Sequence, residues 1–141
     1  ARGCIYQPYV PGEPLSLSLL CADGQAQLLA VNRQRVVARN GLLGFHGVTV
    51  NAIADTDGRY AELAGRVAAA IPDLWGYVGV DLIEAAGGQA VVVEVNPRPT
   101  VSYAGLRAAL DCNPAERLLD LPVFSPCRGV HPVHLETHHG H

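Results

Sequence analysis

GYVGVDLIEAAGGQAVVVEVNPRPT, Gly76 to Thr100, holds two apolar strand-like runs joined by Gly87-Gly88 and closed by Pro97 and Pro99. Gly-Gly between apolar runs signals a hairpin, because the tight turn needs φ > 0 at its centre. With Gly87 and Gly88 as the central pair, counting outward along the two strands sets Asp81 opposite Glu94. Side chains alternate along a strand, so Asn96 shares a face with Glu94 and lies diagonal to Asp81. By the same alternation Val91, Val93 and Val95 are expected to point the other way, into the core.

Two like charges directly opposite each other destabilise a sheet unless something positive lies between them. Carboxylates from Asp81 and Glu94 with the amide oxygen of Asn96 suit a hard divalent cation such as Mg2+ or Mn2+. Mg2+ usually keeps waters and takes further ligands from substrate phosphates. Arg98, two residues on, is spaced to reach the same phosphates with its forked donors. The bland alternative is a solvated sheet face with an ordinary charge pair, and a one-residue slip in register would separate the two carboxylates.

Upstream, LSLSLL (Leu15 to Leu20) alternates at the period of a half-buried strand, and Ala22-Asp23-Gly24 turns it into QAQLLAVNRQRVV, giving an antiparallel pair. The opening GCIYQPYVPGEP is expected as an edge strand leaving through a turn, since Pro8 and Pro11 exclude a central position. Between Ala38 and Gly47 three glycines and no clear period predict a loop, followed by a short strand in VTVNA. DGRYAELAGRVAAA, Asp57 to Ala70, carries Tyr60, Leu63, Val67 and Ala70 at helical spacing, with Pro72 as the stop. Beyond Thr100, SYAGLRAAL and NPAERLLDL predict two short helices, the second capped by Asn113 with Pro114 at its first position. The Pro- and His-rich tail from Phe124 is expected to be loosely ordered. These elements predict an α+β fold, a mostly antiparallel sheet packed with helices.

At 141 residues and 49% apolar composition, the chain is long enough to bury the core of one domain. A net charge of -3, a pI of 6.0 and no basic run argue against nucleic acid as a partner. No apolar run spans a membrane and no signal peptide is visible, so a cytoplasmic protein is expected. Cys4, Cys21, Cys112 and Cys127 show no paired metal spacing and are expected as reduced structural thiols. All ten basic residues are arginine, there is no Met, and the chain opens inside an apparent strand, which together read as part of something longer.

GVDLIE followed by VVVEVNPRPTVSYAGLR resembles the C-terminal catalytic segment of the ATP-grasp superfamily, whose members join a carboxylate to an amine or similar nucleophile through an acyl-phosphate. NPRPTVSYAGL and YVPGEPLSLSLL look most like a branch that includes tyramine glutamate ligase. The resemblance covers the chain to about Leu121 and implies the C-terminal half of an ATP-grasp domain over residues 1–121, with residues 122–141 as a tail. It makes Asp81, Glu94 and Asn96 ligands of the Mg2+ that accompanies ATP, and puts Arg98 where relatives contact phosphate or the acyl-phosphate. YQPYVPGEP resembles the hinge strand, where Gln7 would face the adenine amino group, with Tyr9 and Val10 packed near the base.

Many family members carry a ribose-binding Glu two positions after the hinge glycine, but that position here is Pro14, and the nearby carboxylate is Glu13. VNRQRV matches a strand whose polar residues face the active site, which makes Asn32, Arg33 and Gln34 candidates. Alternation favours Asn32 and Gln34, because they share a face. The implied partners are ATP, a small-molecule carboxylate and amine, and the missing N-terminal lobes with their lysines and glycine-rich loop; the fragment alone is expected to be inactive.

Two rival readings come from other classes. One is a noncatalytic ATP-grasp-like binding domain, against which the intact metal ligands argue. The other is a Zn2+- or Ni2+-binding tail built on His131, His134, His138, His139 and His141, although LE followed by histidines also resembles a cloning scar and purification tag. His46, in its glycine-rich loop, is expected on the surface rather than as a catalytic base.

Overall fold

In a computed structural model, residues 3–137 are described, and His138, His139 and His141 lie outside them. One antiparallel sheet organises the chain. Its strands are β1 (Gly12–Ala22), β2 (Gln25–Arg39), β3 (Leu42–Ile53), β4 (Gly76–Ala85), β5 (Ala90–Asn96) and β6 (Val133–Glu136), in the order β5-β4-β1-β2-β3-β6. Helix α1 (Arg59–Ala70) covers one face, and α2 (Tyr103–Ala109) packs on the other. The expected α+β lobe is therefore present, with β1 at its centre.

The two parities of β1 feed two cores. Leu15, Leu17 and Leu19 pack with Val31, Val78, Val80 and Leu82 against Tyr60, Leu63, Ala64 and Val67 of α1. On the opposite face Leu20, Ala30, Val48, Val50 and Tyr77 pack against Leu106 and Ala109 of α2. β1 is thus buried on both sides rather than half-buried, and Ser16 and Ser18 are buried with the leucines. Each buried Leu contributes about 1.5–3 kcal/mol; a buried hydroxyl costs energy unless bonded, and both serines are bonded.

Helix α1 forms as its spacing predicts, and Asp55 caps it by accepting from the backbone N–H groups of Tyr60 (3.1 Å) and Ala61 (2.8 Å). Its start is tied to β4, where Glu84 accepts from both Arg59 (2.9 Å) and the Tyr60 hydroxyl. Asn113 caps α3 (Pro114–Leu119) through the N–H of Ala115, with Pro114 leading the helix.

Five expectations are corrected. Residues 3–11 form no strand, and the GEP stretch starts β1 instead; Gly12 is required there because a Cβ would meet the Glu84 carbonyl oxygen at 2.3 Å. The expected loop at 38–47 is a hairpin: β2 runs to Arg39 and turns through Asn40 and Gly41, at φ 52 and 75, directly into β3. The tail is ordered through Glu136, with β6 paired to β3. Cys112 and Cys127 form a disulfide, because the chain folds back after α3 and brings their Cα atoms to 5.5 Å. Finally, Val91 and Val93 miss the core. The β4–β5 register shifts between Asp81 and Leu82, where Val93 becomes an extra residue, so among these valines Val95 alone packs on the α1 side.

Among the described residues His131 and His134 join no metal-ligating cluster; the one such grouping is Asp111 with the bonded Cys112 and Cys127. His134 Nδ1 instead meets Thr49 Oγ1 at 2.9 Å. Among the described residues no helix is long and apolar enough to cross a membrane.

A disulfide closing a 15-residue separation constrains the unfolded chain. Cys112→Ala with Cys127→Ala should lower the unfolding free energy by about 2–4 kcal/mol in a urea titration. An unreduced, denatured sample should titrate two thiols, Cys4 and Cys21, rather than four.

Candidate nucleotide and metal site

Strand alternation places the site on the α2 face. Asp81 pairs with Glu94, the expected partner, but by another route: the turn joins Ala85 to Gln89 instead of centring on Gly87-Gly88, and the extra residue Val93 restores the pairing, with Gly79 opposite Asn96. Ser16 of β1 lies beside Asp81 on one side and Asn32 of β2 on the other. Gln34, two residues beyond Asn32, reaches over β1, and its Nε2 donates to Asp81 Oδ1 at 2.8 Å. Asn96 Nδ2 donates to Asp81 Oδ2 at 3.3 Å, and Arg98 Nη2 donates to Asn96 Oδ1 at 3.2 Å. Gln34, Asp81, Glu94, Asn96 and Arg98 all line one cavity of 310 Å³, walled also by Phe45, Val48, Thr100 and Ser102.

Burial is the main reason that the Asp81 carboxyl titrates above its ordinary range, and the facing Glu94 pushes it further up. Gln34, Arg98 and Asn96 pull it back without cancelling the rise. Two carboxylates opposite each other, one of them partly desolvated, leave negative charge that a cation would relieve.

The cavity continues into an apolar groove. A hollow of 290 Å³ shares Gln34 and Asp81 with the polar end and is lined by Gly12, Pro14, Val36 and Ala38. It shares Tyr9, Val10, Leu43, Ile83 and Val93 with a further cavity of 460 Å³, which Gln7, Pro8, Val91 and Val92 complete. The turn between Ala85 and Gln89 sets Val91 opposite Ile83 and so turns Val91 and Val93 to this groove rather than the core. Gln7, Tyr9 and Val10 therefore stand at the apolar end, Tyr9 largely exposed.

Two candidates are placed elsewhere. Glu13 has the parity of Leu15, so it lies on the α1 face and pairs with Arg33, away from the groove. Pro14 takes the groove position instead. Asn32 shares the face of Gln34, as alternation requires, but is fully buried beneath the cavity. Its Nδ2 donates to Ser16 Oγ (3.3 Å) and Ser18 Oγ (3.0 Å), and its oxygen accepts from the Asn51 N–H (3.1 Å). It supports the floor rather than lining the cavity. Sequence reading passed over Ser16, Thr100 and Ser102, which do line it; the shared parity of Ser16 with Asn32 and Gln34 across the β1–β2 pair was the available signal.

A family model for the ATP-grasp domain matches residues 1–102. The chain belongs to the ATP-grasp family. Its fold is similar to that of an ATP-grasp superfamily protein from Archaeoglobus fulgidus, at 29% identity and a TM-score of 0.62 over 79% of this chain and 35% of that one. The L-amino acid ligase of Bacillus licheniformis shares the fold at 17% identity and a TM-score of 0.64, over 79% of this chain and 29% of that one. So does the biotin carboxylase domain of Hydrogenobacter thermophilus 2-oxoglutarate carboxylase, crystallised with MgADP, at 14% identity and a TM-score of 0.60 over 76% of this chain and 24% of that one. No curated protein matches. The chain thus spans roughly a quarter to a third of these neighbours.

The charge arrangement can be read directly in solution. Glu94→Gln removes the facing charge, so the Asp81 carboxyl should titrate lower than in the parent when followed by 13C NMR, whereas Gln34→Ala should move it higher.

Proposed function

We propose that the groove binds ATP, with the adenine at the apolar end and the phosphates at the Asp81–Glu94 pair. The observation that carries this reading is two facing carboxylates and a guanidinium, at one end of an apolar groove, in a chain of the ATP-grasp family. The donor set fits Mg2+ or Mn2+: oxygens only, two of them carboxylate, one carboxyl raised in pKa by burial and by its neighbour. Asp81 and Glu94 would hold the ion, joined by Asn96 once its amide oxygen, here accepting from Arg98 Nη2, turns toward it. Such an ion, when bound, neutralises charge on phosphoryl oxygens.

The chain's own groups have separable tasks. Gln34 orients the Asp81 carboxylate through its 2.8 Å bond. Arg98 is exposed at the cavity and offers a planar fork to phosphoryl oxygens that would otherwise repel the two carboxylates. Tyr9, Val10, Leu43 and Ile83 offer apolar surface to a base at one end of the groove. We further propose that the whole enzyme is an ATP-dependent ligase joining a carboxylate to an amine or similar nucleophile through an acyl-phosphate, with no covalent attachment to the protein. The L-amino acid ligase among the neighbours and the one crystallised with MgADP support this reading. Because the chain spans only a part of those neighbours, recognition of the carboxylate and the amine is assigned to segments outside it. The narrower likeness to tyramine glutamate ligase rests on the quoted sequence stretches.

In the full-length enzyme, Glu94→Gln combined with Asn96→Ala should reduce ATP turnover at least about a hundredfold with an unchanged far-UV circular dichroism spectrum; retained turnover would refute the assignment. Protonation competes with the cation, and the Asp81 pKa is raised. Mg2+ affinity measured by calorimetry should therefore weaken on acidification at a higher pH than an ordinary carboxylate would dictate.

A further inference from the structure

Beneath the cavity, four hydroxyls meet around a single point. The Tyr77 hydroxyl lies 3.0 Å from Ser18 Oγ, 3.1 Å from Thr100 Oγ1 and 3.2 Å from Ser102 Oγ. Thr100 Oγ1 and Ser102 Oγ are 3.0 Å apart, and Ser18 Oγ and Ser102 Oγ 3.3 Å. Tyr77, Ser18 and Ser102 are almost wholly buried, so none of these hydroxyls can exchange its partner for bulk water without cost.

Counting hydrogens orients the cluster. Ser18 Oγ accepts from both Asn32 Nδ2 and the Tyr77 hydroxyl, so its own hydrogen goes to Ser102. Tyr77, having donated to Ser18, is left to accept from the segment after β5. Bonds chained in this way reinforce one another.

The cluster joins two different parts of the molecule. Ser18 and Tyr77 belong to the rigid strands β1 and β4, whereas Thr100 and Ser102 belong to the segment that leaves β5 and carries Arg98. Among the described residues, Arg98 itself bonds only within that segment's own neighbourhood, to Asn96 Oδ1 and to the Pro99 carbonyl at 3.4 Å. Its position is therefore set by where the segment sits on the sheet. Thr100 rests directly on β4: a Cβ on Gly79 would come 2.5 Å from Thr100 Cγ2. Tyr77 is held in turn by an edge-to-face contact with Tyr103, ring centroids 5.0 Å apart.

We infer that Ser18, Tyr77, Thr100 and Ser102 form a hydroxyl latch that holds the Arg98 segment over the carboxylate pair, with Thr100 and Tyr77 as positioning residues for a phosphate-bearing ligand. The ligand part rests on the nucleotide reading given above; the latch itself does not. Neither residue is a cation ligand, so the latch acts on Arg98 rather than on Asp81 and Glu94.

The test is made on the full-length protein with an isosteric pair. Thr100→Val keeps the shape and loses the hydroxyl; Thr100→Ser keeps the hydroxyl. Hydrogen exchange at the Arg98 amide, which is bonded to the Asn96 carbonyl at 2.8 Å, reports the latch without any ligand. Thr100→Val should exchange about tenfold faster there, the equivalent of one lost hydrogen bond, and Thr100→Ser within about twofold of the parent. By calorimetry Thr100→Val should bind MgADP about tenfold more weakly while its affinity for Mg2+ alone changes less than about twofold. Unchanged Arg98 exchange in Thr100→Val, or equal loss in Thr100→Ser, overturns the latch. Faster exchange with unaltered MgADP affinity overturns the positioning role, as does an equal loss of Mg2+ affinity. If the parent itself binds no MgADP, the nucleotide reading fails while exchange still decides the latch. Should Thr100→Val fold poorly, Tyr77→Phe removes the shared acceptor with the ring kept, and the same outcomes apply.

Discussion

Two carboxylates held face to face across the β4–β5 pair are the constraint around which the polar half of this molecule is arranged. Asp81 and Glu94 repel each other, and Asp81 gives up part of its hydration as well. Amides from Gln34 and Asn96 each donate to one oxygen of Asp81, and Arg98 braces Asn96 from the other side. The two amides are neutral, and Arg98, which draws the Asp81 carboxyl down, bonds to Asn96 and Pro99 rather than to either carboxylate, so the repulsion is only partly offset. Such an arrangement is disfavoured in a sheet unless an ion completes it, which is why the pair is read as a site rather than as surface decoration.

The apolar half depends on the same strands. One extra residue, Val93, breaks the β4–β5 register immediately beyond the carboxylate pair. The turn joins Ala85 to Gln89 and sets Val91 opposite Ile83, so without that shift Asp81 would face Val93 and Val95 would leave the α1 side; with it, Glu94 faces Asp81 while Val93 stays with Tyr9, Val10 and Ile83 in the groove. A single irregularity therefore makes the polar and apolar ends continuous along one face. β-bulges commonly serve this purpose, re-aiming side chains near a binding surface.

Burial on both faces explains why polar residues of the central strands serve the site. β1 lies between β4 and β2 and is covered by α1 and α2, so Ser18 is shut off from water and Ser16 meets it only at the cavity floor. Asn32 and Tyr77 satisfy them, and Tyr77 extends the network to Thr100 and Ser102. Polar groups enclosed in this way have few alternative partners, which fixes the floor of the cavity and the segment above it together.

Local patterns in the sequence were enough for the hairpin, the α1 helix and the Asn113 cap, because each depends on residues close along the chain: turn glycines, period-3.6 spacing, a capping side chain; the Asp81–Glu94 pairing is expected from a two-residue turn, whereas the structure reaches it through a longer turn and the Val93 bulge. They also put Asn32 and Gln34 on one face and showed Pro14 where a carboxylate might have stood. Contacts between distant segments decided the rest. The disulfide and β6 require the chain to return past α3, the Glu13–Arg33 pair requires knowing which face α1 covers, and the hydroxyl cluster gathers residues from β1, β4 and the segment after β5. Alternation along a strand tells which residues share a face, but what covers that face is set by packing, and packing exists only once the chain has folded.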